Sequence, residues 1–134
     1  MIRVEKIPEY RFVVPGKPES FRSRKASRYK KLVRQIARKC LAKPLSKGEI
    51  NMILDYFHTN QRRFDMDNVS KCILDALNGI AYKDDKSVRW QTSVSHFVGE
   101  PLSILGGPVD LVKPLKKYDT YVFVRLRIHQ KLLP

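Results

Sequence analysis

Cysteine and histidine are scarce in this sequence, which limits the metal and redox chemistry that it can support. The two cysteines, Cys40 and Cys72, are too few for a disulfide framework or a four-ligand metal site. Both fall on apolar faces of predicted helices, so we expect buried thiols. The three histidines, His58, His96 and His129, are isolated from one another, which argues against a zinc site.

Long apolar runs and glycine-rich phosphate loops are also absent from the sequence. No run approaches the roughly 18–20 residues of a membrane-spanning helix, so we expect no membrane segment. The first residues, MIRVEKIPEYRF, lack the apolar stretch of a signal peptide, and we therefore expect a cytoplasmic protein. Without a phosphate-cradling glycine motif, nucleotide hydrolysis is unsupported.

Acidic residues are few, and their distribution is uneven. The chain has 27 Lys and Arg against 13 Asp and Glu, which gives a net charge of +14. Such an excess usually indicates a polyanionic partner, nucleic acid first. Residues 17–47 hold 12 bases and one acid, whereas residues 65–85 hold five acids and two bases. The compact acidic island in a basic protein is therefore a candidate site.

Hydrophobic periodicity predicts a single domain over residues 1–134. The order β-α-β-α-β-β predicts an α/β fold, with a mixed sheet packed by two helices. Alternation in the strand that follows residue 88 predicts that Trp90 is a core residue. Residues 101–119, rich in Gly, Pro and Lys, are expected to form an irregular insertion. The predicted strands cover residues 9–14, 49–58, 88–95 and 119–129, and the predicted helices cover about 30–42 and 68–78.

The basic segment at residues 20–30 is predicted to be a mobile loop that leads into the first helix and contacts DNA. Four of its bases fall within seven residues, which exceeds ordinary solubility needs. The alternative is a solvated polar helix face, which suits the helical part of the segment. The candidate DNA-contacting residues are Lys17, Arg22, Arg24, Lys25, Arg28, Arg62 and Arg63.

The second predicted helix carries a polar stripe beside the acidic residues. At 100° per residue, Asn68, Lys71 and Asp75 fall, with Asn78, within an arc of about 80°. Asp65 and Asp67 precede this stripe, and Asp84 and Asp85 follow the helix after a short loop. Clustered carboxylates repel one another and phosphate alike, so they make sense together around a hard cation such as Mg²⁺. The pattern therefore suits metal-assisted cleavage of a phosphodiester, with a nearby lysine on the phosphate.

Two of these acids also have purely structural interpretations. Asp67 is well placed to cap the helix N-terminus, which is the commoner role of an aspartate at that position. Asp75 lies four residues after Lys71 and is as well explained by an ion pair with it as by catalysis.

The same residues resemble the signature of the RusA family of Holliday junction resolvases. Asp65-Met66-Asp67-Asn68, then Lys71, then Asp75-Ala76-Leu77-Asn78-Gly79 and the pair Asp84-Asp85 match its D-x-D-N-x-x-K-x-x-x-D-A-L-N-G motif and acidic pair in order. The resemblance implies a homodimeric, Mg²⁺-dependent endonuclease, with Mn²⁺ as a substitute, that resolves four-way DNA junctions by paired nicks. It also implies a bacterial or phage setting.

The resemblance further implies a role for each matching residue. Asp65, Asp67 and Asp85 match the catalytic, metal-binding carboxylates, and Lys71 matches the essential lysine. Asp84 is a further metal-binding candidate, while Asn68 and Asp75 are supporting residues. The strand after the acidic pair carries His96 where the family usually has a lysine. Two other functions stay open: a catalytically silent junction- or single-strand-binding module, and a nuclease acting on flaps or forks.

Overall fold

The computed structural model describes residues 9–18, 24–45, 49–59, 66–102 and 107–129. Its regular elements follow the predicted order β-α-β-α-β-β. Short 3₁₀ helices occur at Asp85–Ser87, Val109–Leu111 and Lys113–Lys116. None of the helices in these ranges is long and apolar enough to cross a membrane. The main elements are β1 (Glu9–Pro15), α1 (Arg24–Cys40), β2 (Glu49–His58), α2 (Met66–Leu77), β3 (Val88–Phe97) and β4 (Tyr121–His129).

The four strands form one mixed sheet in the order β1-β4-β2-β3, which confirms the predicted architecture. β4 pairs antiparallel with both β1 and β2, whereas β2 and β3 are parallel. Parallel neighbours need a crossover connection, and α2 provides it. The last strand therefore lies in the centre of the sheet, and β3 lies at an edge.

The main core lies between the sheet and the two helices. Alternate residues of β2 face the helices because successive strand side chains point to opposite faces. The helical spacing that the sequence predicted for α1 and α2 is confirmed, since both helices bury their apolar stripes here. Completely buried members of this core include Ile50, Met52, Leu54, Val33, Ala37, Cys72, Ile73, Ala76 and Leu77.

The other face of the sheet is covered at one end by the segment that precedes β4. Leu111 packs there with Phe57, Tyr121 and Phe123 in a second cluster. The Tyr121 ring stacks on Phe57 at 4.6 Å, and its hydroxyl donates to the Leu111 carbonyl at 2.8 Å. The 3₁₀ helices within residues 101–119 thus place an apolar side chain on a face that the two α-helices leave uncovered.

A buried ionic cluster lies on this second face, beside the apolar one. Asp55 of β2 accepts hydrogen bonds from His96 Nε2 at 2.8 Å and from an Arg125 Nη at 3.0 Å. All three side chains are at most 10% exposed. The His96 ring also stacks on Phe57 at 4.6 Å. The histidine that stands in place of a lysine therefore has a structural partner, which the sequence did not indicate.

Three sequence-based expectations are wrong. The basic segment is helical from Arg24, because Lys, Arg and Ala favour a helix and Tyr29 is buried against the core. Trp90 is not a core residue but is 50% exposed, since it lies on the edge strand beyond the part of the sheet that is covered. Cys40 is only half-buried, whereas Cys72 is buried as predicted.

Replacing Asp55 by alanine should destabilise the protein by about 3–5 kcal/mol, because it leaves the buried Arg125 without its carboxylate. The matched control is Glu49→Ala, because Glu49 lies on the same strand as Asp55. This change removes the carboxylate of an exposed ion pair with Arg89. That change should cost less than about 1 kcal/mol. Urea unfolding measures the free energy of unfolding of each variant. Equal losses of this free energy in the two variants would show that the Asp55 cluster contributes no more to stability than a surface pair.

Candidate active site

Helix α2 carries the residues of the candidate site and is anchored by its buried face. Ser70 is buried and its hydroxyl donates to the Met66 carbonyl at 3.0 Å, while it lies 2.6 Å from the Ser93 hydroxyl of β3. The helix ends before Gly79, whose φ of +79° is a conformation that glycine adopts readily. The predicted termination at Asn78–Gly79 is confirmed, so the helix lies over β3 in a fixed register.

Asp67 lies inside the first turn of α2, so the expectation that it is the N-cap residue is wrong. The helix begins at Met66, one residue before Asp67. The first turn exposes unpaired backbone N–H groups and the positive end of the helix dipole, which favours an ionised carboxylate. Asp67 is exposed, so its carboxylate faces solvent at this end of the helix.

The predicted polar stripe of α2 is partly solvent-facing and partly bound to α1. Asn68 and Lys71 are exposed, whereas Asp75 is half-buried and forms an ion pair with Lys30 of α1. The partner of Asp75 is therefore a residue of the other helix, and not Lys71 as the sequence alone suggested. Arg34 adds a second link between the helices, because its Nε donates to the Ala76 carbonyl at 3.0 Å.

A tight connection after α2 returns the chain towards Asp75. The Gly79 amide donates to the Tyr82 carbonyl at 2.8 Å, and the Tyr82 hydroxyl donates to the Leu74 carbonyl at 2.6 Å. Burial raises the pKa of the Tyr82 hydroxyl, and the nearby carboxylates of Asp85 and Asp75 raise it further. Tyr82 thus marks the place where the acidic pair comes close to the helix.

Asp84 and Asp85 form an exposed carboxylate pair. Asp84 accepts a hydrogen bond from the Lys86 amide at 3.0 Å, and this bond together with one to Asp85 lowers the pKa of Asp84. The pKa of Asp85 is raised, first by the hydrogen bond to Asp84 and then by desolvation and the charges of Asp84 and Asp75. Two neighbouring carboxylates repel each other when both are ionised, and a hard cation relieves that repulsion.

The described acids of the motif belong to different elements. Asp84 and Asp85 lie near Asp75, beyond the C-terminal end of α2, while Asp67 lies in its first turn. The ten-residue rise from Asp67 to Leu77 corresponds to about 15 Å along the helix axis. In the described ranges, no three His, Cys, Asp or Glu residues form a group that could hold a metal ion. Asp65 lies outside the described residues, so its place in the site stays a prediction.

Helix α1 presents a basic surface next to this site. Its sequence contains no acid from Arg24 to Cys40. Arg28 and Lys31 are exposed, as are Arg38 and Lys39 further along the helix. Lys17 is also exposed, just after β1. Among the other predicted DNA contacts, Arg24 and Lys25 lie in the first turn of α1, and Arg22, Arg62 and Arg63 lie outside the described residues.

Sequence reasoning missed two residues that shape the site. Lys30 was one base among many in the sequence, and only the packing of α1 on α2 shows that it binds Asp75. Tyr82 had a weak signal, because an aromatic residue follows the DALNG segment and precedes the acidic pair. The hydrogen bond of Tyr82 to the Leu74 carbonyl depends on the fold of the connection after α2, which the sequence does not indicate.

Comparison with known protein families gives a match over residues 8–103 to the family described as endodeoxyribonuclease RusA. The matched range covers more than half of the chain and includes the whole of α2 and the acidic pair. No curated protein matches the chain.

The Lys30–Asp75 pair should contribute up to about 1 kcal/mol to stability, because one partner is half-exposed. A double-mutant cycle with Lys30→Met, Asp75→Asn and the double variant measures the coupling by urea unfolding. Strict additivity of the two single losses would contradict a tie between the helices. Lys31→Met is the matched control, since it removes a neighbouring exposed charge of the same helix.

Proposed function

The chain belongs to the RusA endodeoxyribonuclease family of Holliday junction resolvases, and on this premise we propose that it is Mg²⁺-dependent and resolves four-way DNA junctions by paired symmetric nicks. The observation that carries the proposal is the exposed Asp84–Asp85 pair, which follows the end of the helix that carries Asp67 and Lys71. A basic protein of charge +14 would hold DNA by its phosphates around these acids.

The donor set of the site fits a hard divalent cation. Asp65, Asp67 and Asp85 are the proposed ligands, with Asp84 beside them, and carboxylate oxygens are what Mg²⁺ and Mn²⁺ bind. When bound, the metal supplies a Lewis acid for the phosphate and lowers the pKa of a water molecule. Lys71, exposed on the polar stripe, contacts the scissile phosphate, and Asn68 and Asp75 support the arrangement.

A homodimer follows from two independent requirements. Symmetric cleavage of a four-way junction needs two sites related by a two-fold axis, and one chain carries one set of motif residues. Of the described acids of this set, Asp67 lies in the first turn of α2 and the acidic pair follows the end of that helix, so a second copy would add its Asp67 to the acidic pair of the first. We therefore propose that each metal site is formed between two copies.

The DNA would lie across α1 and the polar stripe of α2. The exposed bases of α1, which include Arg28, Lys31 and Arg38, would bind the DNA phosphates without recognising its base sequence. We propose that the protein works in the bacterial cytoplasm and is encoded by the host or by a phage. Arg22, Arg62 and Arg63 remain proposed contacts of the same kind.

Asp67→Asn should abolish Mg²⁺-dependent nicking of a synthetic four-way junction while leaving binding intact or tighter, because a ligand and a negative charge are removed together. Single-turnover cleavage and a gel-shift assay measure the two effects. Asp119→Asn is the control, since it removes an exposed acid that is far from α2 in the sequence. The control variant should cut the junction at the normal rate. An unchanged cutting rate for Asp67→Asn would refute the site assignment.

Cleavage assays on different DNA structures distinguish the alternatives. Junction binding without any Mg²⁺-dependent cutting would identify a silent binding module. Faster cutting of flaps or replication forks than of four-way junctions would identify a nuclease with another target.

Removing one phosphate-binding base should reduce the slope of log affinity against log salt by about 1. We expect this for Arg28→Ala and for Lys31→Ala, measured by fluorescence anisotropy over a salt series. Lys116→Ala is the matched control, because it removes the same charge from the 3₁₀ helix before β4. A slope change in the control equal to that of the α1 variants would mean that net charge alone governs binding.

A further inference from the structure

We infer that Lys30 is a positioning residue that withholds Asp75 from the proposed metal site and thereby lowers the affinity of the acidic pair for a divalent cation. The inference rests on the proposed function, because it concerns the regulation of the same site. Asp75 forms an ion pair with Lys30 of α1. Such a charge-assisted hydrogen bond is strong, so a metal ion must break it before the carboxylate can become a ligand.

The position of Lys30 is fixed by its neighbours on α1. Tyr29 and Val33, on either side of it along the helix, are buried in the main core. The Lys30 side chain is only 17% exposed, whereas the side chain of Asp75 is 47% exposed. The lysine is therefore the enclosed partner of the pair, and the aspartate is the partner that a cation from solvent can reach.

Arg34 places a second positive group at the same end of α2. It follows Lys30 by four residues, so the two bases lie on one face of α1. The Nε atom of Arg34 donates to the Ala76 carbonyl at 3.0 Å. The last turn of a helix carries carbonyl groups without helical partners and the negative end of the helix dipole. Helix α1 thus offsets the negative charge of the helix end that leads to the acidic pair.

Asp75 is close enough to the acidic pair to affect it. The Tyr82 hydroxyl donates to the Leu74 carbonyl at 2.6 Å, and the chain reaches Asp84 two residues after this contact. The pKa of Asp85 is raised by its hydrogen bond to Asp84, by desolvation, and by the charges of Asp84 and Asp75. Release of Asp75 from Lys30 would therefore add a third carboxylate beside the pair.

A purely structural role of the Lys30–Asp75 pair predicts a different behaviour. If the pair only joined the two helices, breaking it from either side would loosen the connection that carries Asp84 and Asp85. Both single variants would then bind metal more weakly. Withholding predicts opposite signs, because removal of Lys30 frees a carboxylate whereas removal of the Asp75 charge loses one. The sign of the change on removing Lys30 therefore distinguishes the two roles.

Lys30→Met should bind Mn²⁺ about threefold to tenfold more tightly than the wild type, because a positive charge leaves the site and Asp75 is released. The electron paramagnetic resonance signal of free Mn²⁺ measures this affinity on the whole chain without DNA. Lys31→Met, which removes the adjacent exposed charge, and Lys30→Arg, which keeps a cation on Asp75, are the controls. Both should bind Mn²⁺ within about twofold of the wild type at about 0.1 M salt. Unchanged or weaker binding by Lys30→Met would overturn the inference.

Asp75→Asn distinguishes the release of a ligand from a change of charge. In the wild type Lys30 holds Asp75, so this substitution should weaken Mn²⁺ binding about threefold or less. In the Lys30→Met background the freed carboxylate contacts the ion, and the same substitution should weaken binding about tenfold. Equal losses in the two backgrounds would mean that Lys30 acts through its charge alone, and the withholding of Asp75 would be wrong.

The outcomes separate this inference from the proposed function. A wild type that cuts four-way junctions with Mg²⁺, while Lys30→Met binds Mn²⁺ no more tightly, has the proposed function without the withholding. A protein that shows the expected order of Mn²⁺ affinities but never cuts a junction has the withheld carboxylate without the proposed function. Absence of Mn²⁺ binding in both proteins would overturn the inference, whatever the cleavage assay shows.

Discussion

Parallel pairing of β2 with β3 is the constraint from which the arrangement of the site follows. Because parallel neighbours need a crossover, the chain must travel the length of the sheet between them, and α2 is that path. Asp67, in the first turn of α2, and the acidic pair after the helix consequently lie at the two ends of this crossover. The antiparallel entry of β4 between β1 and β2 then leaves β3 at the edge, next to the helix that carries the motif.

Electrostatics divides the molecule into two sides with different roles. On the outer face of the sheet, arginines are matched by carboxylates, including the buried Asp55 that binds His96 and Arg125. On the helix side, α1 has bases without acids, and the acidic pair stands beside it. Burying the charge of Arg125 without Asp55 would cost free energy of folding. The exposed bases of α1 stay hydrated, so they remain stable without a carboxylate partner until phosphate binds. Within the described residues, α1 is therefore a strongly basic surface.

The sequence predicted those features that depend on local periodicity. Strand β2 was predicted with its observed bounds, and the buried stripe of α2 contains the expected Val69, Cys72 and Ile73. The sequence could not predict features that depend on which elements pack against each other. Trp90 alternates like a core residue, but its burial depends on what covers the edge. Lys30 and Asp75 are 45 residues apart, and only the packing of two helices joins them.

The separation of the acids explains why assembly and chemistry would be linked. Among the described residues at this place, a single chain offers the exposed pair Asp84 and Asp85, and Asp75, whose carboxylate is already held by Lys30. That is a poor site for a divalent ion, which binds best where several carboxylates have no other cation nearby. In the proposed dimer the first turn of a second α2 supplies the carboxylate of Asp67 to this place, and Lys71 of the same helix would contact the phosphate. The site would then bind metal well only when two copies are joined, and a lone chain would not cut one strand of a junction without its symmetric partner.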